Sequence, residues 1–457
     1  MPIVLWTDTL VWLLVVAAAG YFWYCLRHEH LAAPWKRLLC SRPAMAALIV
    51  LAGFVAAGLL DSLHFRPRLE SNDPQAAVAY SVEVQSVLDL LVGHLRTRSE
   101  KTYSAPLATR LYAREQFETP DGKMVRDYPR LRFGGTHLKD EGDRGGDIAA
   151  KALRALAAVA VIWALIGFLG RPLARRWPEI PWGVAFGTFW VLSALAVALF
   201  ALSAGYHVFG TDRVGQDVFY LSLKSIRTSL VIGMLSTLVT MPLGIMLGIM
   251  AGYFKGWVDD AIQYLYTTLN SIPSVLLIAA AVMMMQVYID THPELFPTAA
   301  QRADLRLLFL CIILGLTSWT GLARLLRGEA LKLSELEYIQ AAHAFGVSNR
   351  RILTRHILPN VMHIVIISLV MDFSGLVLAE AVLSYVGVGV DPSTTSFGTM
   401  INGARLEMAR EPMVWWSLAA AFVFMVTLVL AANLFADAVR DAFDPRVRML
   451  KPLRKGI

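Results

Sequence analysis

The sequence predicts an all-α polytopic membrane protein, and three observations carry that prediction. Of its 457 residues 56% are hydrophobic and only 17% are charged, with a mean hydropathy of +0.53; a soluble domain carries about 25% charged residues. The apolar residues are gathered in blocks long enough to cross a bilayer, which takes about 20 residues per helix. Basic residues concentrate in alternate loops between those blocks, the pattern that orients membrane helices.

Taken in order, nine blocks read as spans: Thr9–Leu26, Pro43–Leu63, Ala149–Leu169, Trp182–Val208, Ser229–Tyr253, Ile262–Tyr288, Leu305–Leu325, Val361–Val388 and Met413–Ala436. The first block lacks a basic n-region and is followed directly by aromatic residues, so it reads as a retained helix and not a cleaved leader. Arg27, Lys36, Arg37 and Arg42 follow span one; Arg171, Arg175 and Arg176 follow span three. Arg327, Lys332, Arg350, Arg351 and Arg355 lie between spans seven and eight, and Arg440, Arg446, Arg448, Lys451, Arg454 and Lys455 lie in the C-terminal tail. With nine spans all four segments fall on one side, the cytoplasm by the positive-inside rule. The N-terminus then faces out and the C-terminus in. The loops Ile289–Asp304 and Gly389–Pro412 mix both signs, as outer loops do.

Residues 66–148 form a long outer insertion with 13 basic and 13 acidic residues. It opens with a helical periodicity over Pro74–Leu95. The Gly and charge density of Tyr128–Gly146 predicts an ordered, turn-rich patch. Spans four to nine make a six-helix core, residues 182–436. Residues 1–65 supply two added helices and 149–181 a third, with an Arg- and Pro-rich cytoplasmic linker; 437–457 is a basic cytoplasmic tail.

The three cysteines, Cys25, Cys40 and Cys311, form no CxxC pair and suggest neither a metal site nor a disulfide framework. The net charge of +7 is spread over loops of a membrane protein and is no nucleic-acid signal.

The polar segment 329–360 stands out between spans seven and eight. Leu331, Leu333, Leu336, Ile339 and Ala342 or His343 give a partial apolar stripe at helical spacing. Glu335 and Glu337 sit towards the start of that helix, and the small pair Ala341–Ala342 allows close approach of another surface. Gly346 suits a C-cap with positive φ. Ser348 and Asn349 suit the N-cap of a second short helix, Arg350–Leu358. Pro359 fits where that helix ends and a span begins. The product is a helix-turn-helix against the inner membrane face.

The spacing of Ala341, Ala342, Gly346, Leu358 and Pro359 resembles the EAA loop of ABC-transporter permeases, with Gln340 in the usual Glu position and His356 where an aliphatic residue is common. His356-Ile357-Leu358-Pro359-Asn360 resembles the dipeptide/oligopeptide (peptide/nickel) branch. So do Gly210-Thr211-Asp212-Arg213-Val214-Gly215-Gln216-Asp217-Val218, Gly252–Asp259, Leu378–Gly389 and Asn433 to Arg446. In the first of these Gln216 replaces the usual Arg. The resemblance covers about Gly210 to Arg446 and leaves out spans one to three and the insertion.

That resemblance implies a six-helix type I importer core, with three extra transmembrane helices before it, in a bacterial inner membrane. It implies a coupling loop of Glu337, Gln340, Ala341, Ala342, Gly346, His356, Leu358 and Pro359, and an extracytoplasmic motif of Gly210, Thr211, Asp212, Gly215 and Asp217. The implied partners are a second homologous permease subunit, two ABC ATP-binding subunits, an extracytoplasmic solute-binding protein and the lipid bilayer. The chain has no GxxxxGK[ST] loop. ATP and Mg are expected on partner subunits, with no cofactor or metal on this chain and no catalytic residue. Peptides head the solute classes; nickel or another small solute is the alternative.

Ionisable residues inside spans are functional candidates by default. Asp372 and Glu380, with Ser374 and Ser384 nearby, lie about two turns apart and on nearly the same face in span eight and are candidates for the polar path; an internal hydrogen bond that fixes helix packing is the other reading. Thr211–Arg227 reads as partly amphipathic and suits the outer interface. An ion-coupled secondary transporter would need charges shared among several spans, and a membrane enzyme a motif such as HExxH or GxSxG; the sequence shows neither.

Overall fold

The computed structural model describes residues 1–68, 80–118, 124–176, 178–296 and 298–443. The tail positions Arg446 to Lys455, the Asp444-Pro445-Arg446 end of the C-terminal motif and the start of the expected Pro74–Leu95 helix lie outside those residues. Among the described residues nine helices are long and apolar enough to cross a membrane.

The strands are β1 (Pro2–Ile3), β2 (His64–Phe65), β3 (Gln85–Ser86), β4 (Glu115–Glu118) and β5 (Met124–Asp127). The first half of the chain holds helices α1 (Trp6–Arg27), α2 (Glu29–Cys40), α3 (Arg42–Asp61), α4 (Val87–Leu91), α5 (Gly93–Thr97), α6 (Arg144–Arg176) and α7 (Trp182–Ser203). Next come α8 (Val218–Phe254), α9 (Gly256–Ser271), α10 (Ser274–Thr291), α11 (Ala299–Ser318), α12 (Thr320–Ser334), α13 (Glu337–Ala344) and α14 (Asn349–Ile352). The chain continues through α15 (Leu358–Val386), α16 (Phe397–Glu407) and α17 (Trp416–Phe443).

The chain divides into two compact units: Met1–Val4 with Leu39–Ser229 and Thr394–Ala431, and Leu5–Leu38 with Leu230–Ser393 and Ala432–Ile457. These units cut across the expected boundary between an added N-terminal module and a core. In the first unit α3 and α6 both pack on α7, and Trp163 of α6 donates to Ser193 Oγ of α7 at 2.8 Å. Strands β1, β2 and β3 pair antiparallel, so residues 2–3 join the sheet that opens the insertion. In the second unit α1 packs on α11: the Thr7 amide donates to Asp304 Oδ2 at 3.2 Å and its hydroxyl to Oδ1. Buried polar groups inside a span demand such partners.

Several expected boundaries shift, each for a visible reason. The fourth span ends at Ser203 and not Val208, because residues 205–207 turn to pair with the insertion: Gly135 N–H donates to Gly205 O at 2.8 Å and Leu107 N–H to His207 O at 2.8 Å. In Thr211–Arg227 helix begins at Val218, as the start of the 37-residue α8. Lys224 there is held by Asp61 at 2.5 Å and Asp89 at 3.2 Å. The sixth span breaks at Ile272–Pro273 into α9 and α10, since Pro273 cannot donate into the preceding turn. Of the expected Pro74–Leu95 helix only residues 80–95 are described; there Tyr80 bridges to Arg68 and helix starts at Val87, where Ser86 and Asp89 make a capping box. The turn-rich patch at Tyr128–Gly146 forms up to the 3₁₀ turn Glu141–Asp143, and α6 then starts at Arg144.

In the second unit Gly244, Gly248 and Gly252 line one face of α8 against α12. A Cβ on them would lie 2.8 Å from Leu322, 2.7 Å from Ala323 O and 2.5 Å from Arg327 O, so the two backbones approach closely. The same contact builds a core of Met241, Ile249, Leu322, Leu326 and Ala330 under the loop that follows.

Candidate functional site

The loop between α12 and α15 is rooted by three isoleucines. Ile339 of α13, Ile352 of α14 and Ile357 are buried against Leu326, Ala330 and Val361. Fully burying each is worth about 1.5–3 kcal/mol, enough to hold short helices that would not persist alone. The opposite face is open: Glu337, Gln340, Ala341 and Gly346 are exposed, and Phe345 is 87% exposed.

The turn after α13 is a complete Schellman motif. Val347 N–H donates to Ala342 O at 3.0 Å and Gly346 N–H to His343 O at 3.0 Å. Gly346 takes φ +74°, as its place in the sequence predicts, and a Cβ there would meet nothing within 4 Å. Ser348 stands at the next N-cap but makes no side-chain cap bond. The second helix does not stop at Pro359. It passes through a π-helical stretch, Leu353–Ile357, straight into α15. The widened turn accommodates a proline that has no N–H and crowds the preceding carbonyl. Loop and membrane span are therefore one continuous rod. His356 and Leu358 are half-buried; Tyr338 faces the His356 ring at 6.3 Å and its hydroxyl accepts from Asn360 at 3.2 Å.

Three further residues steady the loop, and sequence reasoning gave them no role. They come from the turn between α8 and α9, where Lys255 takes φ +55°. Tyr253 Oη donates to Asn349 Oδ1 at 2.9 Å. Lys255 pairs with Glu335 and holds that carboxyl below its ordinary range. Asp259 receives a two-pronged bond from Arg327, Nε and Nη2 each at 2.6 Å, which keeps its pKa low. The available signal was the Gly252–Asp259 motif, which holds all three.

The candidate path residues separate. Eight residues advance about 80° around a helix, and burial follows: Asp372 is half-buried, whereas Glu380 is fully buried and accepts from Ser384 Oγ at 2.7 Å. Ser374 is buried and donates to Asn433 Oδ1 at 2.6 Å. In this conformation Glu380, Ser374 and Ser384 face protein, so Asp372 alone of the four is partly open.

The motif of Gly210, Thr211, Asp212, Gly215 and Asp217 forms a tight knot before α8. Gly210 and Gly215 take φ +73° and +78°. Asp212 Oδ1 accepts from Val214 N–H at 2.9 Å and Gln216 N–H at 2.8 Å. Asp217 caps α8 by accepting from Phe219 N–H at 2.8 Å. Thr211 Oγ1 accepts from Ser104 N–H at 2.6 Å. Behind the knot His207 is buried between Asp217, 2.8 Å away, and Glu100, 3.4 Å away. Burial alone would lower the His207 pKa, but the two carboxylates push it up to about 9. Burial would raise Glu100; His207 and the N–H groups of Arg132 and Phe133 hold it down.

Residues 244–449 match the family described as binding-protein-dependent transport system inner membrane component. The oligopeptide transport system permease protein OppC of Mycobacterium tuberculosis (strain ATCC 25618 / H37Rv) is 32% identical over 251 residues, covering 55% of this chain and 79% of that protein. The glutathione transport system permease protein GsiD of Pectobacterium atrosepticum is 33% identical over 242 residues, 53% of this chain and 73% of that one. The dipeptide transport system permease protein DppC of Lactococcus lactis subsp. cremoris is 29% identical over 240 residues, 52% and 64%. Among solved structures, an inward-facing MetNI methionine ABC transporter aligns with 50% of this chain and 98% of its own at 16% identity and a TM-score of 0.37.

Proposed function

Because the chain belongs to the binding-protein-dependent transport system inner membrane components, we propose that it is the permease subunit of an ATP-driven importer of di- or oligopeptides. The relatives' own substrates support the solute class. The observation that carries the mechanism is the continuity of α14, the π stretch and α15 under an exposed α13. In this reading α13, with Phe345 at its tip, seats on a separate ATP-binding subunit, where ATP and Mg are bound. Closure of two such subunits displaces the loop, and the rigid rod passes that displacement to α15. The transport cycle is then a two-state switch biased by ATP.

The loop lies in the cytoplasm in this reading, and the insertion and residues 2–3 lie outside, meeting a solute-binding protein. The basic loops support this orientation, as does the pairing of β1 with β2 and β3 on the insertion side. A second permease subunit completes the path. Reconstitution with the ATP-binding subunits and the binding protein tests the reading, with uptake measured for a dipeptide, a pentapeptide, glutathione and Ni²⁺. ATP-dependent uptake of a peptide is expected. Uptake of Ni²⁺ alone would move the solute class, and uptake without ATP would remove the mechanism.

A further inference from the structure

The insertion threads between two loops that precede core spans. On one side Glu100 N–H donates to Gly215 O at 2.9 Å, Ser104 O accepts from Thr211 N–H at 3.1 Å, and Leu107 N–H reaches His207 O at 2.8 Å. The approach is too close for any side chain at residue 215: a Cβ would lie 1.8 Å from Glu100 O. On the other side Tyr103 Oη donates to Glu407 Oε1 at 3.2 Å and Tyr112 Oη to Met413 O at 3.2 Å. The Tyr112 ring stands edge-on to Trp416 at 4.8 Å, and Arg410 covers the Tyr103 ring at 5.3 Å. Trp416 Nε1 closes the circuit by donating to Thr211 O at 2.9 Å. Glu100 anchors the segment from behind, accepting from Arg132 N–H at 2.9 Å and Phe133 N–H at 2.8 Å while facing His207.

We propose that Glu100–Tyr112 is a strap that makes the outer starts of α8 and α17 move as one body through the transport cycle, with Glu100 and His207 as its positioning residues. The proposal rests on the permease reading. Three kinds of observation support it. The strap bonds to the loop before α8 through backbone groups, which cannot be satisfied by rotating a side chain away, and to the loop before α17 through the hydroxyls of Tyr103 and Tyr112. Its anchor is a buried carboxylate–histidine–carboxylate array in which Glu100 and His207 lose each other if the strap lifts. Both outer starts also fall in one compact unit with the insertion. A passive cap would need none of these, since it could rest on the loops through exposed side chains.

The test uses the full chain with its ATP-binding subunits in lipid nanodiscs. Spin labels are placed at Val214→Cys, in the outer knot, and Leu406→Cys, beside the second loop; both positions are exposed. The strap predicts one narrow distance distribution, the same without nucleotide and after trapping with ATP and vanadate. In Glu100→Ala the distribution should at least double in width or differ between the two states. A shift between states in the otherwise unaltered chain overturns the strap, as does an unbroadened, state-independent distance in Glu100→Ala. If Glu100→Ala does not fold, the pair Ser104→Cys/Thr211→Cys decides the matter, since those hydroxyls lie 3.1 Å apart. Oxidised, it should leave the solute-stimulated ATPase rate within twofold of the reduced form; a tenfold loss on oxidation, reversed by dithiothreitol, would mean that the strap has to open. Absence of any ATPase activity in the unaltered complex is a different failure and counts against the permease reading, because the distances without nucleotide still report the strap.

Discussion

His207 should make the local stability of the first unit fall as pH rises, and the size of the effect can be worked out. The ring is 3% exposed and stands between Asp217 and Glu100. Its folded pKa of about 9 lies above the ordinary 6.5. A folded value above the unfolded one stabilises fully below pH 6.5, and that contribution is lost as pH rises through 9. The difference corresponds to about 3 kcal/mol, on the order of a hundredfold in the local opening equilibrium. Glu100 runs the other way: held below its ordinary value, its contribution is present above that range and lost as pH falls. The assay is pulsed hydrogen exchange on the detergent-purified chain, followed by mass spectrometry of peptides covering residues 100–112 and 207–218, with α13 as internal reference. After correction for the intrinsic exchange rate, protection should drop roughly a hundredfold between pH 6.5 and 9.5. In His207→Gln it should be low at pH 6.5 and nearly flat. Equal protection at the two pH values, or the same pH-dependent drop in His207→Gln, would refute the reasoning.

Other expectations follow from single contacts. Gly346→Val should cost about 1–3 kcal/mol of local strain without a clash, because a Cβ there meets nothing within 4 Å. Solute-stimulated ATPase should fall while the folded yield holds, and Gly346→Asn should recover much of the loss because Asn tolerates the left-handed region; equal activity of Val and Gly variants would remove the turn from the mechanism. Arg327→Lys should lose the two-pronged bond to Asp259, costing about 1–3 kcal/mol, with a coupling energy that vanishes in an Asp259→Asn background; additive single effects in that cycle would show the pair to be idle. The lowered Asp259 pKa makes the pair's contribution present above the ordinary carboxylate range and lost as pH falls. Lys224→Met leaves the buried Asp61 and Asp89 facing each other. It should destabilise the first unit by about 3–5 kcal/mol, read as a lower unfolding temperature in detergent; an unchanged temperature would contradict that accounting.

Much of this fold was legible because hydropathy and length suffice to find spans in a bilayer, and among the described residues nine spanning helices overlap the nine apolar blocks. Gly346 was legible because a positive φ after a short helix has few other solutions. Other features depend on what residues meet far along the chain. Glu100 is one of 13 acidic residues in the insertion; its importance comes from His207, 107 positions away, and no local pattern marks it. The fourth span overran to Val208 because Tyr206 and Val208 extend the apolar block until the insertion captures the backbone of residues 205–207. The π stretch at Leu353–Ile357 was missed because Pro359 reads locally as a stop, whereas tertiary packing of Ile352 and Ile357 carries the helix through it. Asp372 and Glu380 are separated by helical phase and packing, and two turns of spacing hid that difference.

The central claim is that α13 seats on an ATP-binding subunit and drives α15. It is tested most directly by Phe345→Cys, cross-linked with a short bismaleimide in the reconstituted transporter against a single cysteine placed beside the ATP-binding subunit's own docking groove. The account predicts an efficient link between the two chains and, once it forms, ATP-dependent peptide uptake reduced at least tenfold, because the lever is pinned. No link at Phe345 in a transporter that still performs ATP-driven uptake would contradict it.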